Sequence, residues 1–156
     1  MTEFGKVETD VHIKASPEKF HEVFCSRTHH ISNVSSGNIQ GVVIHEGEWG
    51  TVGSVIFWNY TLEFIDGKAA VAKEVVEAID QEKNLITFKI IEGDLLDHYK
   101  SFKITIQVTG KDENGGSVVH WLMEYEKLHG EIPDPHSLLQ MAIAVSKDLD
   151  AHLTEG

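Results

Sequence analysis

The chain has 156 residues, of which 41% are hydrophobic and 24% charged, and its 25 acidic residues outnumber the 13 basic ones, giving a net charge of −12. No linker or internal repeat divides it, so we predict one globular domain over residues 1–156. The net charge repels phosphate backbones, and we expect no nucleic-acid partner. The histidines show no metal-ligand spacing and no cofactor motif is present, so we predict neither a metal site nor a cofactor.

The cysteine content and the hydropathy indicate the compartment. Cys25 is the single cysteine and cannot form an internal disulfide. No apolar run approaches the roughly 18 residues of a membrane span. The first residues are mixed and acidic, whereas a signal peptide would be basic and then apolar. We therefore expect a cytoplasmic protein without a membrane span, in which Cys25 is a buried thiol rather than a nucleophile.

The N-terminal segment begins with a strand pattern and continues with a helical one. Polar and apolar residues alternate over 6–13, which predicts a half-buried strand. Ser16 can cap a helix that has Pro17 at its first position, and the apolar spacing that follows predicts a short helix to Ser26. Residues 28–35 can add another turn or two before the next break.

Six more strands are predicted in the middle of the chain, as a meander of antiparallel hairpins. A turn with three glycines, over 47–53, leads into an aromatic-rich strand that is apolar on both faces and ends near residue 62. Asp66 and Gly67 then form a pair favoured in tight hairpins. The other predicted strands show regular alternation and cover residues 39–46, 69–79, 85–92, 101–108 and 119–126.

The last segment predicts one long amphipathic helix. Asp134 can cap it and Pro135 can take its first position. Because its apolar stripe needs an apolar partner, the helix must lie on the sheet. The expected fold is α+β, a bent antiparallel sheet that grips a C-terminal helix and can enclose an apolar pocket. The residues of the stripe are Leu138, Leu139, Ala142, Ile143, Val145 and Leu149.

Three segments, together with this order of elements, resemble a known family. They are the turn over 46–55 (Glu-Gly-Glu-Trp-Gly-Thr-Val-Gly-Ser-Val) and the strand ends over 91–94 (Ile-Glu-Gly-Asp) and 125–127 (Tyr-Glu-Lys). Over essentially its whole length the chain resembles the major latex proteins of plants, a branch of the birch-pollen-allergen and class-ten pathogenesis-related superfamily. The resemblance implies the START-like helix-grip fold: a seven-stranded curved antiparallel sheet, two short helices and a long C-terminal helix enclosing a cavity.

The glycine turn departs from the pattern of related allergens. Their turn is richer in glycine and is followed by a lysine, where this chain has Gly53. Anion binding by a glycine turn needs converging N–H groups and usually a cation or a helix N-terminus. This turn instead carries Glu46 and Glu48 and leads into a strand. We therefore do not expect it to bind phosphate.

The resemblance implies a function in binding small hydrophobic molecules, such as sterols, flavonoids, cytokinins, fatty acids or alkaloid intermediates. We expect a monomer that binds, stores or carries such a ligand in plant defence or hormone response. The first alternative is an enzyme that performs acid–base isomerisation or cyclisation of a metabolite in the same cavity. The second is a partner-binding protein whose interior is simply packed.

The predicted ligand-binding wall combines inward strand positions with the helix stripe. Its aliphatic and aromatic members are Val55, Phe57, Ile86, Phe88, Ile90, Phe102, Ile104, Trp121, Met123, Tyr125, Leu138, Met141, Ala142 and Val145. A few polar groups would decide which ligand is accepted, because an unmatched buried polar group is costly. The predicted ones are Asn59, Glu74, Tyr99 and Tyr125.

Glu74 is the polar residue whose direction the alternation leaves open. Both faces of the segment 69–79 are compatible with burial, and the resemblance favours the set with Ala72, Glu74 and Val76 inward. An inward Glu74 should have a raised pKa because burial disfavours its charged form. In the enzymatic alternative, the candidate for proton transfer is Glu74, Tyr99 or His98.

Overall fold

The computed structural model describes residues 3–62, 68–111 and 115–154, with the side chains of residues 62 and 68 left out. Its strands are β1 (Glu3–Ile13), β2 (Ile39–Glu46), β3 (Val55–Leu62), β4 (Lys68–Asp80), β5 (Leu85–Gly93), β6 (Tyr99–Gly110) and β7 (Ser117–Lys127). Its helices are α1 (Pro17–Ser26), α2 (Ile31–Val34) and α3 (His136–Thr154), with 3-10 turns at Thr28–His30 and Asp94–Asp97.

The strands form one antiparallel sheet in the order β1-β7-β6-β5-β4-β3-β2. From β2 to β7 each strand pairs with the next one in the chain, which confirms the predicted meander, and β1 lies beside β7. The register shifts in the β4–β5 pair between Lys73 and Glu74, and again between Val76 and Ala78. Such bulges bend a sheet and re-aim side chains, so β4 is bent next to Glu74.

The predicted element order is confirmed, with differences at the ends. β2 and α1 have the predicted bounds, whereas β1 begins at Glu3 and β6 begins at Tyr99, earlier than the alternation indicated. The hairpin predicted at Asp66 and Gly67 lies outside the described residues. None of the helices in the described part of the chain is long and apolar enough to cross a membrane.

Helix α1 closes one side of the interior. The Ser16 hydroxyl accepts a hydrogen bond from the Lys19 N–H at 3.4 Å and Pro17 begins the helix, as predicted. The ring of Phe24 packs edge-on against Trp121 of β7, with centroids 5.6 Å apart. Cys25 is buried, and its burial raises the pKa of the thiol to about 12. The thiol is therefore protonated at neutral pH, as expected of a structural cysteine.

Helix α3 lies against the sheet through its apolar stripe and is held by polar contacts near its C-terminal end. The Asp150 carboxylate accepts hydrogen bonds from the backbone N–H groups of Lys14 and Ala15, at 3.0 and 2.9 Å. The Ser35 hydroxyl, just after α2, donates to Asp148 at 2.6 Å. These contacts fix α3 relative to β1 and to the short helices, and so define the space between helix and sheet.

The start of α3 differs from the prediction. The helix begins at His136, one residue after Pro135. The Asp134 side chain does not serve as the predicted cap, because it accepts a hydrogen bond from the Tyr125 hydroxyl and lies 3.1 Å from the Lys127 ammonium group. The segment before α3 is therefore anchored to the end of β7.

Candidate functional site

An inner cavity of about 70 Å³ lies between the sheet and α3. At roughly 10–15 Å³ for each enclosed water, it has room for about five waters or for one small chemical group. Most of its wall is apolar. The lining residues are Phe24, Ile39, Trp58, Tyr60, Ala72, Glu74, Phe88, Leu95, Ile104, Ile106, Trp121, Met123, Leu138, Met141, Ala142 and Val145.

A larger outer pocket, of about 440 Å³, adjoins the inner cavity. Tyr60, Leu95 and Leu138 line both spaces, so the two meet at these three side chains. The outer volume lies within the usual range of small-molecule sites, about 300–1,000 Å³. The other lining residues are Ala69, Ala70, Asp94, Asp97, His98, Tyr99, Ile132, Pro133, Asp134, Pro135, His136 and Ser137.

Strand β3 presents the opposite face from the predicted one. Its inward residues are Ile56, Trp58 and Tyr60, all buried. Asn59 is exposed on the outer face and Phe57 is half-buried there, while Val55, although buried, does not line the cavity. The prediction of Val55, Phe57 and Asn59 as wall residues is therefore wrong. Both faces of β3 are apolar over residues 55–58, so only the last part of the strand carries a contrast between its faces.

Glu74 points into the inner cavity from the middle of β4. The residue is 6% exposed, and its neighbours Ala72 and Val76 on the same face are also buried. It lies opposite Ile56 of β3 and Ile90 of β5, between two apolar residues. Burial raises the pKa of the Glu74 carboxyl to about 8. The carboxyl forms no hydrogen bond with another described side chain, so at neutral pH it is largely protonated.

Two further polar groups face the inner cavity from β3. The indole N–H of Trp58 is buried and has no hydrogen-bond partner in the described part of the protein. The Tyr60 hydroxyl is also buried, and its pKa is raised first by that burial and then by the negative charges of Asp94 and Glu74. The polar groups of Trp58, Tyr60 and Glu74 therefore form a polar strip across β3 and β4, in a wall that is otherwise apolar.

Several predicted wall residues do lie at the inner cavity. They come from β4 to β7 and from α3, the elements whose inward faces the alternation or the helical spacing identified. Tyr99 lines the outer pocket instead. The predicted residues at the inner cavity are Glu74, Phe88, Ile104, Trp121, Met123, Leu138, Met141, Ala142 and Val145.

The remaining predicted residues are buried in the core but do not line the inner cavity: Ile86, Ile90, Phe102 and Tyr125. Phe102 packs against Tyr99 and Tyr125, with ring centroids 5.1 and 5.7 Å apart. The Tyr99 hydroxyl donates to the Pro133 carbonyl at 2.6 Å, and the Tyr125 hydroxyl donates to Asp134. These two tyrosines therefore anchor the segment before α3, and their hydroxyls already have partners.

Ala72, which the resemblance placed inward, also lines the cavity. The wall residues that the sequence did not predict are Phe24, Ile39, Trp58, Tyr60, Leu95 and Ile106. A signal for the β3 residues was present, because Asn59 and Thr61 are polar and lie on the same face as Phe57. Two polar residues on one face indicate that this face is the outer one. Ile106 likewise shares the inward face of β6 with Ile104.

The glycine turn before β3 is held by hydrogen bonds within the protein. Gly47, Gly50 and Gly53 all have positive φ, which glycine adopts without strain. The Ser54 hydroxyl donates to the Glu48 carbonyl at 2.5 Å and accepts from the Glu48 N–H at 3.2 Å. The Gly53 N–H donates to the Val76 carbonyl at 2.8 Å. These N–H groups are thus engaged within the protein.

Comparisons with known proteins give consistent results. Residues 2–156 match the model of the pathogenesis-related protein Bet v 1 family. MLP-like proteins 28 and 31 of Arabidopsis thaliana are 58% and 56% identical to this chain, each over 96% of its length. The chain spans only 44% of the length of MLP-like protein 28, but 85% of MLP-like protein 31.

Solved structures show the same fold. The crystal structure of ginseng major latex-like protein 151, from Panax ginseng, is 42% identical with a TM-score of 0.92, over 97% of this chain and 99% of that one. A solution structure of an Arabidopsis thaliana member of the major latex protein family is 57% identical with a TM-score of 0.68, over 96% and 94% of the two chains. Truncated norcoclaurine synthase from Thalictrum flavum, 22% identical with a TM-score of 0.71 over 99% and 97%, shares the fold alone.

Proposed function

Because the chain belongs to the pathogenesis-related Bet v 1 family and to its major latex protein branch, we propose that it binds, stores or carries small hydrophobic molecules between the sheet and α3. The observation that carries this proposal is the inner cavity, whose wall is apolar except for the polar strip of Trp58, Tyr60 and Glu74. Apolar ligand surface removed from water contributes about 25 cal/mol per Å². The polar strip would set the ligand's orientation.

The volumes indicate how a ligand of sterol or flavonoid size would be accommodated. The inner cavity of about 70 Å³ is too small for such a molecule alone, whereas the outer pocket adds about 440 Å³. We infer that the ligand extends past Tyr60, Leu95 and Leu138, so that its inner end lies on the polar strip. Leu95 lies on a short 3-10 turn and is half-buried, and we infer that its side chain moves to admit the ligand.

A titration with a neutral fluorescent probe tests this proposal. N-phenyl-1-naphthylamine should bind saturably and be displaced by at least one of a sterol, a flavonoid, a cytokinin and a fatty acid. Ala142→Leu, which adds volume inside the inner cavity, should weaken probe binding at least tenfold. The control Ala151→Leu, on the exposed side of α3, should not. Probe binding that is absent in the wild-type protein, or unchanged in Ala142→Leu, would contradict the proposal.

A second candidate function is acid–base catalysis in the same cavity. The observation that favours it is Glu74, whose burial raises the carboxyl pKa to about 8, close to the pH at which a general acid or base works best. The test is incubation of the same four ligand classes with the protein, followed by mass spectrometry. An enzyme is supported if the wild-type protein forms a product, Glu74→Gln does not, and the outward-facing control Glu77→Gln still does. Ligand recovered unchanged supports binding alone.

We further propose that the protein is a cytoplasmic monomer that acts in plant defence or hormone response. The buried free thiol of Cys25 suits a reducing compartment. The apolar stripe of α3 is covered by the sheet, so this stripe is not available to a second copy. Sedimentation of the purified protein should give the mass of one chain, 17.4 kDa. A dimer at micromolar concentration would contradict the monomer.

A further inference from the structure

We propose that the polar strip recognises a hydroxyl group, so that the bound molecule is an uncharged apolar alcohol or phenol rather than a carboxylate or an amine. This inference rests on the proposed function, since it requires a ligand that reaches the inner cavity. It concerns which chemical class of ligand is accepted.

The first observation is the unpaired indole of Trp58. Its ring is 7% exposed, lines the inner cavity and packs edge-on against Phe88, with centroids 6.1 Å apart. Its N–H is buried without a partner among the described residues, whereas buried N–H groups in folded proteins are nearly always bonded. The other cavity tryptophan, Trp121, does have a partner, the Ser146 hydroxyl at 2.8 Å. The wall therefore offers one spare donor, at Trp58.

The second observation is the position of Glu74 relative to this donor. On the β3–β4 ladder Trp58 lies opposite Ala72, and Ile56 lies opposite Glu74. Trp58 and Glu74 are thus diagonal neighbours on one face of adjacent strands, a spacing within reach of long side chains. Since the Glu74 carboxyl is buried and has no partner among the described side chains, the wall offers an acceptor on the strand next to the spare donor.

A hydroxyl matches this pair better than a charged group does. Its oxygen can accept from the Trp58 N–H while its hydrogen is donated to Glu74. A carboxylate has acceptors alone, and its charge would be buried in an apolar wall, which is costly. An ammonium group has donors alone, and would leave the Trp58 N–H unpaired.

The charges around the site also disfavour anions. Among the described residues that line the inner cavity there is no lysine, arginine or histidine, so a buried anion would have no cationic partner. Asp94 and Asp97 lie in the outer pocket, on the route to the polar strip. The net charge of −12 acts in the same direction.

Four naphthalenes of matched size test the inference at pH 7, by displacement of N-phenyl-1-naphthylamine: 2-naphthol, 2-methylnaphthalene, 2-naphthoate and 2-naphthylmethylammonium. We expect 2-naphthol to bind at least tenfold more tightly than each of the others. Trp58→Phe and Glu74→Leu should each reduce its advantage over 2-methylnaphthalene to less than threefold. Glu77→Gln, with a carboxyl removed from the outer face of the same strand, should leave that advantage unchanged. Circular dichroism would establish that each variant is folded.

The outcomes separate this inference from the proposed function. The inference would be overturned if all four compounds bound with equal affinity, or if the carboxylate or the ammonium compound bound more tightly than 2-naphthol. It would also be overturned if the advantage of 2-naphthol survived in both variants. In each of these cases the cavity would remain a binding site. Absence of saturable binding by the probe and by all four compounds would contradict both.

Discussion

Trp121 of β7 donates a hydrogen bond from its indole nitrogen to the Ser146 hydroxyl of α3, at 2.8 Å. Ser146 in turn donates to the Ala142 carbonyl, also at 2.8 Å. The contact crosses the interior beside the inner cavity, so it both satisfies a buried donor and holds the helix against the sheet. Trp58, which also lines the cavity, has no such partner in the part of the chain that the structure describes.

This difference predicts unequal effects of the same substitution at the two tryptophans. Trp58→Phe and Trp121→Phe remove the same volume, but only Trp121→Phe also removes a satisfied hydrogen bond. We expect Trp121→Phe to lower the free energy of unfolding by about 1 kcal/mol more than Trp58→Phe does. Urea denaturation of the ligand-free protein measures both. Equal losses would show that the Trp121–Ser146 bond adds nothing to stability.

The raised pKa of Glu74 predicts that the stability of the folded protein depends on pH. In the unfolded chain its carboxyl releases a proton near its ordinary pKa of 4.5, whereas in the folded protein burial raises the pKa to about 8. The folded state therefore holds the extra proton between these pH values, and its stability falls as pH rises from about 4.5 to 8. The slope from one such group approaches 1.4 kcal/mol per pH unit.

The comparison with Glu74→Gln isolates this contribution, because all other titrating groups are common to both proteins. We expect the stability of the variant relative to wild type to increase steadily from pH 5 to pH 8, and then to level off. Urea midpoints at four pH values measure it. Parallel curves for the two proteins would mean that Glu74 is ionised and solvated in the folded state.

Asp134 should stabilise the junction between β7 and α3. Its pKa is lowered first by the hydrogen bond from Tyr125 and then by that from Lys127. The stabilisation is therefore present above the ordinary pKa of an aspartate and is lost as pH falls below it. Because the side chain is 44% exposed, solvent screens the pair, and we expect Asp134→Asn to cost about 1 kcal/mol at pH 7.

The loss in Asp134→Asn should begin to shrink as pH falls below about 4, where the carboxyl of the unfolded chain takes up a proton while that of the folded protein is still ionised. Asp97→Asn, an exposed aspartate of the same outer pocket, is the matched control and should change stability by less than about 0.5 kcal/mol. Thermal denaturation at pH 7 and pH 3.5 measures both variants. A loss that is the same at the two pH values would rule out the charge as its cause.

Gly93 should tolerate no side chain at the end of β5. Its φ is 126°, a conformation that residues with a Cβ rarely adopt, and an added Cβ would lie 2.8 Å from the Ala72 Cα. We expect Gly93→Ala to destabilise the protein by about 3 kcal/mol or more. Gly37→Ala, where a Cβ meets no heavy atom within 4 Å, is the control and should be nearly neutral. Equal urea midpoints for the two variants would contradict this.

Much of the fold could be predicted from local patterns. The cap at Ser16 and the proline after it identified α1, and the alternation in β6 placed Phe102 and Ile104 inward. These signals are strong because one face of each element is polar. β3 has no such contrast over most of its length, so its inward face depends on how it pairs with β4.

The polar features of the site depend on contacts between different elements of the fold. Asp134 was predicted as a helix cap, but the Tyr125 hydroxyl and the Lys127 ammonium group, nine and seven residues earlier, approach it across the β7–α3 junction. The unpaired state of Trp58 likewise depends on every side chain that surrounds its ring. Cavity volume is set by the packing of several elements at once, and no single pattern encodes it.

Intermolecular nuclear Overhauser effects between 2-naphthol and the methyl groups of the protein would show directly whether a ligand binds between the sheet and α3. We expect contacts with Ile104, Met123 and Val145, which line the inner cavity alone, and with Leu138 at the junction with the outer pocket. Contacts confined to Ala69, Ala70 and Ile132 of the outer pocket, or their complete absence under saturating conditions, would contradict a ligand site between the sheet and α3.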